Sequence, residues 1–391
     1  MPQGRDFDIV LFGATGFTGA LTAEYLAANA PSGCRWALAG RNPAKLEEVR
    51  DRLVAINPDL ADLPLLPADS TDPESLRKVA EAARVVITTV GPYLKYGEPL
   101  VAACAAAGTD YVDLTGEPQF VDEMYLKHHE KAVETGARIV HACGFDSIPH
   151  DLGAYFTVQQ LPSDQPITMR GVVRAGGMFS GGTFHSAMNQ FTSLRESARI
   201  AGARKKKEGR PEGRRIRGEG KPTRDKQLGL WLAPLPTIDP QIVLRSARAL
   251  PAYGPEFSYG HYAGVKRLVT VAGAGVGITG LVAAAQIPPL RNQLLKRVPA
   301  GEGPSEAKRA KSWFTVSFLA ETPDRTVRTE VSGGDPGYTE TAKMLAESAL
   351  CLAFDDNPAT AGQVTTAQAM GEALIDRLVK AGISFTVTRA E

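Results

Sequence analysis

Cysteine is scarce in this chain, and what there is stands scattered: Cys34, Cys104, Cys143 and Cys351, with no C-x-x-C pair among them. Such spacing argues against a disulfide framework. The adjacent His128 and His129 have no cysteine near them, so no metal site is expected from cysteine and histidine spacing. Surplus charge is missing as well. Lys and Arg number 44 against 43 Asp and Glu, a formal net charge of +1. No basic field points to nucleic acid, and no acidic excess points to disorder. A leader is not visible either, because the chain enters an apolar strand by Phe7. A reducing cytoplasm is therefore the expected location.

What is present, in 391 residues with 43% hydrophobic content, is enough for two domains with sizeable cores. The N-terminal one is organised by D-I-V-L-F-G-A-T-G-F-T-G, Asp8 to Gly19. Ile9 to Phe12 form the continuous apolar run of a strand buried on both faces of a parallel sheet. Leu21, Tyr25 and Leu26 then place a helix stripe behind the glycines. In strand, loop, helix order, Gly13 permits a tight turn and Gly16 lets the backbone approach a pyrophosphate. Gly19 allows close packing of helix on strand, and the helix N-terminus offers free N–H groups to phosphate. Gly13, Ala14, Thr15, Gly16, Phe17, Thr18 and Gly19 are thus the expected cofactor loop. Their G-x-x-G-x-x-G spacing departs from the usual G-x-G-x-x-G.

The next strand runs into Gly40-Arg41, about 20 residues further on, where a carboxylate would hold a ribose 2'-hydroxyl. Arg41 has no carboxylate beside it, which favours NADP over NAD; the bland alternative is a solvated arginine at a strand end. Helices and strands then alternate. Pro43–Ile56 reads as a helix, 63–67 as a strand ending at Asp69, and Asp72-Pro73 as a capped helix start. Strands at 85–90, 111–114 and 138–141 follow, with helices at 99–107 and 120–135. The pattern is α/β, a Rossmann doubly wound parallel sheet over residues 1–150 with a crevice at the carboxyl ends of its strands. Asp69 joins the cofactor set, with Val90, Gly91 and Pro92 in the loop after strand four, where the nicotinamide ribose would lie. The later loops hold Asp113, Glu117 and the run Cys143 to Asp151. Each polar group there either caps or turns the chain or serves the chemistry.

From about residue 151 the alternation stops, and 151–391 reads as a mixed α+β domain for substrate or dimerisation. It opens with a strand at 167–175 and a helix at 183–203. Residues 204–226 carry eleven Lys or Arg against four acids. They read as an exposed flexible loop, or as an attachment to anionic lipid heads or an acidic carrier protein. Leu268 to Leu290 contains no charged residue, and its 23 residues could span a bilayer by length. Four glycines, two threonines and Pro288-Pro289 make it a poor span. A buried or substrate-lining role and a membrane-surface contact stay open beside it. Residues 313–320 and 325–332 form a hairpin across Pro323-Asp324, and helices at 339–353 and 371–381 precede a last strand.

Five motifs taken together, G13-A-T-G-F-T-G19, L38-A-G-R41, T88-T-V-G-P-Y93, Y111-V-D-L-T-G-E117 and G144-F-D-S-I-P149, resemble the saccharopine dehydrogenase-like family. Within it the chain is most similar to the trans-acting enoyl reductases, over nearly its whole length. That resemblance implies NADPH-dependent reduction of a carbon–carbon double bond in a lipid or polyketide acyl chain, presented in trans and carrier-bound. It also implies a homodimer and, in some relatives, peripheral contact with the inner face of the cell membrane. The subgroup often has Ser after the proline of G-F-D-S-I-P, where this chain has His150. Hydride delivery to the β-carbon would need a donor for the enolate oxygen and a proton for the α-carbon. Tyr93 is the candidate donor, and Asp146 with Ser147 would orient substrate or relay the proton. Glu117 and His185 are further candidates. The competing enzyme is a saccharopine-type C–N oxidoreductase, whose dicarboxylate substrate would draw on Arg174 and Arg195. The non-enzyme alternative is a lipid-associated nucleotide-binding protein.

Overall fold

A computed structural model of the chain describes residues 4–176, 194–267, 280, 284–297 and 303–390. Its strands are, in chain order, β1 Phe7–Phe12, β2 Trp36–Gly40, β3 Leu65–Pro67, β4 Ala83–Thr88, β5 Asp110–Asp113, β6 Arg138–Val140 and β7 Ile167–Gly176. Then come β8 Arg215–Glu219, β9 Thr223–Asp225, β10 Leu230–Pro234, β11 Glu256–Val265, β12 Trp313–Glu321, β13 Thr326–Gly333, β14 Gly362–Val364 and β15 Ser384–Ala390. The first six strands alternate with α1 Phe17–Asn29, α2 Pro43–Val54, α3 Pro73–Ala82, α4 Tyr93–Tyr96, α5 Glu98–Ala107 and α6 Pro118–Thr135, and α7 Ile148–Val158 follows β6. Local chemistry sets the helix starts. Asn42 Oδ1 accepts from Lys45 N and Asp72 Oδ1 from Glu74 N, each just before a first-position proline.

The parallel sheet has the order β14-β6-β5-β4-β1-β2-β3, the doubly wound arrangement anticipated for the N-terminal half. Strand residues serve two cores alternately. Ile9, Leu11, Leu38, Val85 and Ile87 enter one, while Val10, Phe12, Ala37, Ala39 and Val86 enter the other. The sheet is not built from residues 1–150 alone. β14 pairs with β6, and the helix Thr339–Phe354 packs against α1, β1, β4 and β5. That helix is buried on most sides, with Ala342, Met344, Leu345, Ala346, Ala349 and Leu350 all inside. An apolar helix of this kind must be covered, and the bare sheet face supplies the partner.

The second sheet runs β15-β13-β12-β7-β11-β10-β9, with β8 pairing β11. The hairpin β12–β13 forms as expected, with β13 alternating; β12 instead is buried on both faces from Val316 to Ala320, because it lies inside the sheet between β7 and β13. α7 lies close on it at Gly153, where a Cβ would sit 2.3 Å from Phe318 Cε2.

Residues 204–226, expected as an exposed flexible loop, are for the most part exposed but carry regular structure. Helix Leu194–Glu208 runs into the basic run, and β8 and β9 follow, pairing with β11 and β10. Arg204 is buried because its guanidinium stacks over Tyr125, 3.9 Å from the ring centroid. Of the helix expected at 183–203, residues 183–193 lie outside the described residues, as does most of the apolar segment 268–290. At its described end Ala284 and Ala285 are buried, whereas Ile287 and Leu290 are exposed. No described helix is long and apolar enough to cross a membrane.

Candidate active site

The crevice at the carboxyl ends of β1, β4, β5 and β6 is built from short loops that hold one another. Gly13 adopts φ +101°, and a Cβ there would stand 2.7 Å from Thr89 Oγ1 and 2.8 Å from Val90 Cγ2. At Gly19 the added carbon would be 2.2 Å from Gly13 O, which only glycine avoids. At Gly16, by contrast, the nearest atom is 3.6 Å away, so the backbone there is open to a ligand. Gly16 caps α1 without any side-chain hydrogen bond, and no acid lies in the first turn, so its leading N–H groups have no competing carboxylate. These features fit a pyrophosphate. Thr89 Oγ1 donates to Gly13 O at 3.0 Å and ties the β4 loop to the glycine loop.

Arg41 stands exposed at the end of β2, where a 2'-phosphate would be met. Asp69 accepts from the N–H and hydroxyl of Thr71, both at 2.8 Å, and these bonds, aided by Arg41, hold its carboxyl below the usual range. Phe17 reaches away from the loop to the C-terminal half, meeting Tyr338 edge-on at 5.0 Å with Arg309 over its ring at 5.6 Å. Arg309 is a cation near the phosphate cradle that the motifs do not reveal, since it is nearly 300 residues from them.

Several groups singled out for chemistry turn out to pin the loops. Tyr93 is buried; its hydroxyl donates to Thr88 O and accepts from Leu114 N, both at 3.1 Å. Burial, and then Asp113, push its phenol well above the usual range. The Glu117 carboxylate accepts from Tyr93 N at 3.2 Å and Leu94 N at 2.8 Å. Asp113 accepts from Tyr111, Thr115 N and Ala142 N, and contacts His141 Nδ1 at 2.7 Å. Asp151 accepts from Ser246, Thr366 and Ala367 N and joins α7 to the Thr366–Ala369 helix.

Asp146 and Ser147 differ. A Cβ on Gly116 would lie 3.5 Å from Asp146 Oδ2, which puts this carboxyl between the β5 and β6 loops, at the crevice. Burial, reinforced by the charge of Asp239, pushes Asp146 up to about 7. Ser147 Oγ is buried without a hydrogen-bond partner among the described residues. Beyond this loop the structure gathers three residues that sequence spacing did not associate: His150, Asp239 and His261. Burial drives His150 down to about 4, against the pull of Asp239. His185 lies outside the described residues. Arg174 and Arg195 are exposed, Arg174 over the Trp313 ring at 5.8 Å.

A glycine cradle on a bare helix N-terminus, followed by a cation at the end of β2, defines an NADP-binding oxidoreductase of the doubly wound class. Comparison with known proteins agrees. Residues 9–140 match the family model for the saccharopine dehydrogenase NADP binding domain. The chain is 36% identical to the trans-acting enoyl reductases of Mycobacterium tuberculosis and Mycobacterium leprae, covering 99% of each partner. A second Mycobacterium tuberculosis protein of the same family is 40% identical over 98% of both chains. The chain belongs to the trans-acting enoyl reductase family of saccharopine dehydrogenase-like proteins. Its fold is also that of apo saccharopine dehydrogenase (L-Glu forming) from Saccharomyces cerevisiae, with TM-score 0.57 at 12% identity, covering 98% of this chain and 100% of that one.

Proposed function

We propose that the protein is an NADPH-dependent enoyl reductase acting on an α,β-unsaturated acyl chain of lipid or polyketide type, delivered in trans as a carrier-bound thioester. The observation that carries this reading is the end-to-end match to enzymes of that name, 99% of both chains, joined to a crevice whose phosphate cradle fits the cofactor. When bound, NADPH supplies a hydride for the β-carbon. Gly13, Gly16 and Gly19 let the α1 N-terminus meet the pyrophosphate. Arg41 meets the 2'-phosphate, and Thr89 with Val90, Gly91 and Pro92 shapes the wall beside the nicotinamide. Asp146, at the crevice between two loops, is our proton donor to the α-carbon, and the unpartnered Ser147 hydroxyl lies next to it in the chain.

Tyr93 we assign to positioning, because its single donor is committed to Thr88 O. The C–N reading gains less support. A dicarboxylate substrate needs converging arginines, and Arg174 and Arg195 are both exposed. A homodimer and contact of residues 268–290 with an anionic bilayer accompany the enoyl reductase reading, and sedimentation velocity and vesicle co-sedimentation test them.

The direct test offers purified protein NADPH with a series of enoyl pantetheine thioesters of increasing chain length. Saturated product carrying deuterium at the β-carbon from deuterated NADPH is the expected outcome. Protein that binds NADPH yet turns over no member of the series, while reducing an imino acid, overturns the assignment.

A further inference from the structure

Away from the phosphate cradle, one buried polar cluster is unaccounted for. His150 lies in the first turn of α7, Asp239 opens the helix Asp239–Ala249, and His261 sits mid-strand in β11. Their exposures are 1%, 2% and 3%. One donor atom from each lies within 4.8 Å of the other two. His150 Nδ1 is 3.2 Å from Asp239 Oδ1, and His261 Nε2 is 3.3 Å from Asp239 Oδ2. Both contacts are ion pairs when the ring is protonated. Both nitrogens of His150, Oδ1 of Asp239 and Nε2 of His261 are buried without a hydrogen-bond partner among the described residues. Protein interiors rarely leave so many polar atoms together without hydrogen bonds.

We propose that His150, Asp239 and His261 form a binding site for a divalent cation of the zinc class. Two imidazoles and a carboxylate are a zinc donor set, and three protein ligands leave a fourth position open. Bonds of about 2.0–2.2 Å around a tetrahedral ion put neighbouring donors roughly 3.3–3.5 Å apart. Asp239 approaches that spacing on both sides, 3.2 Å from His150 Nδ1 through Oδ1 and 3.3 Å from His261 Nε2 through Oδ2, so its carboxylate offers a different oxygen to each ring. An orienting shell is in place too. His261 Nδ1 is 3.1 Å from the Tyr259 hydroxyl, which leaves Nε2 for the ion. Thr237 Oγ1 donates to Asp239 Oδ2 at 2.5 Å. Such contacts fix ring and carboxylate orientation at metal centres. Phe145 closes over His150 edge-on at 5.1 Å. An ion here fastens α7 and the G-F-D-S-I-P loop to the second sheet, and the inference does not depend on the reaction proposed above.

The test uses full-length protein without an affinity tag, loaded with zinc, dialysed into metal-free buffer and assayed by elemental mass spectrometry. About one zinc per chain is expected, with a higher melting midpoint for the loaded form and a tetrahedral-type visible spectrum on cobalt substitution. Tyr259→Phe, which keeps the packing, should weaken zinc binding about 10- to 100-fold. His261→Gln should weaken it further, each variant being checked for native far-ultraviolet circular dichroism. Wild-type protein that binds NADPH but holds less than about a tenth of an ion and shows no thermal shift with zinc overturns the proposal. So does zinc binding that both variants leave unchanged.

Discussion

Removing one oxygen atom from Tyr93 separates a catalytic from a positioning role. Tyr93→Phe keeps the ring against Phe120, whose centroid is 5.7 Å away. It deletes the donor to Thr88 O and the acceptor for Leu114 N, both at 3.1 Å. Thr88 is 2% exposed, so its carbonyl cannot turn to water. Each stranded backbone group costs about 1–3 kcal/mol. Leu114 is only half-buried, which places the total at about 2–4 kcal/mol. In a chain of this size the melting midpoint should drop by roughly 2–5 °C. The β4 loop, freed of its anchor, should bind NADPH several-fold more weakly, while kcat stays within about tenfold. Loss of a donor to the developing oxyanion would behave otherwise, with kcat falling about 100- to 1,000-fold. Scanning calorimetry and steady-state kinetics on the same preparation decide. An unshifted midpoint with a kcat loss of 100-fold or more would refute the positioning argument.

Arg41→Ala should weaken NADPH about 10- to 100-fold and leave NADH unchanged, as loss of a charge-assisted contact to a 2'-phosphate requires; fluorescence titration of both nucleotides reads it, and equal loss for both would remove Arg41 from the phosphate site. Asp122→Asn strips the buried guanidiniums of Arg245 and Arg204 of the carboxylate they share. Glu208 still contacts Arg204 at 3.6 Å, so the loss is set near the low end of the usual range, about 3 kcal/mol, measured as a fall in the urea midpoint. Cys34 is held up at about 11 by burial and then by Asp8, against a reference of 9.0. Its thiolate is therefore about 100-fold scarcer at pH 8 than that of an unshifted thiol. Alkylation of native protein should be slow at pH 8 and accelerate as pH rises toward 11. The unfolded chain ionises first, so the same shift makes stability decline as pH climbs past about 9. Fast labelling of a single thiol at pH 8 would contradict this.

Local chemistry made the first sheet legible. A glycine loop between an apolar strand and an amphipathic helix is a short-range signal, as are Asn42-Pro43 and Asp72-Pro73 at helix starts. All formed within a residue or two of the expected positions. What could not be read locally was where residues beyond 330 would go. Helix Thr339–Phe354 is apolar enough to be buried anywhere, and only the open face above β1, β4 and β5 decides its place. The basic run misled for a related reason. Its charge points to solvent, and most of its Lys and Arg are exposed, but charge does not show that β8 pairs with β11 or that Arg204 is buried on the Tyr125 ring and with Asp122.

Around the crevice, residue type pointed to the loops at the strand ends but did not show what each side chain bonds to. Asp113, Glu117 and Tyr93 are polar and follow parallel strands, which is where catalytic groups belong. Each nonetheless spends its hydrogen-bonding capacity on backbone groups of neighbouring loops. A loop at a strand end must satisfy its own N–H and C=O groups before it can present a side chain to substrate, and buried side chains do that here. The residues left over are the informative ones. Among the described residues, Ser147 Oγ beside Asp146 at the crevice is buried without a hydrogen-bond partner, as are both ring nitrogens of His150, Asp239 Oδ1 and His261 Nε2 behind it. The last three lie up to 111 positions apart in sequence and meet only because the Asp239–Ala249 helix packs on both α7 and β11. Side-chain capacity unspent on the fold is what sets these residues apart from the groups that pin the loops.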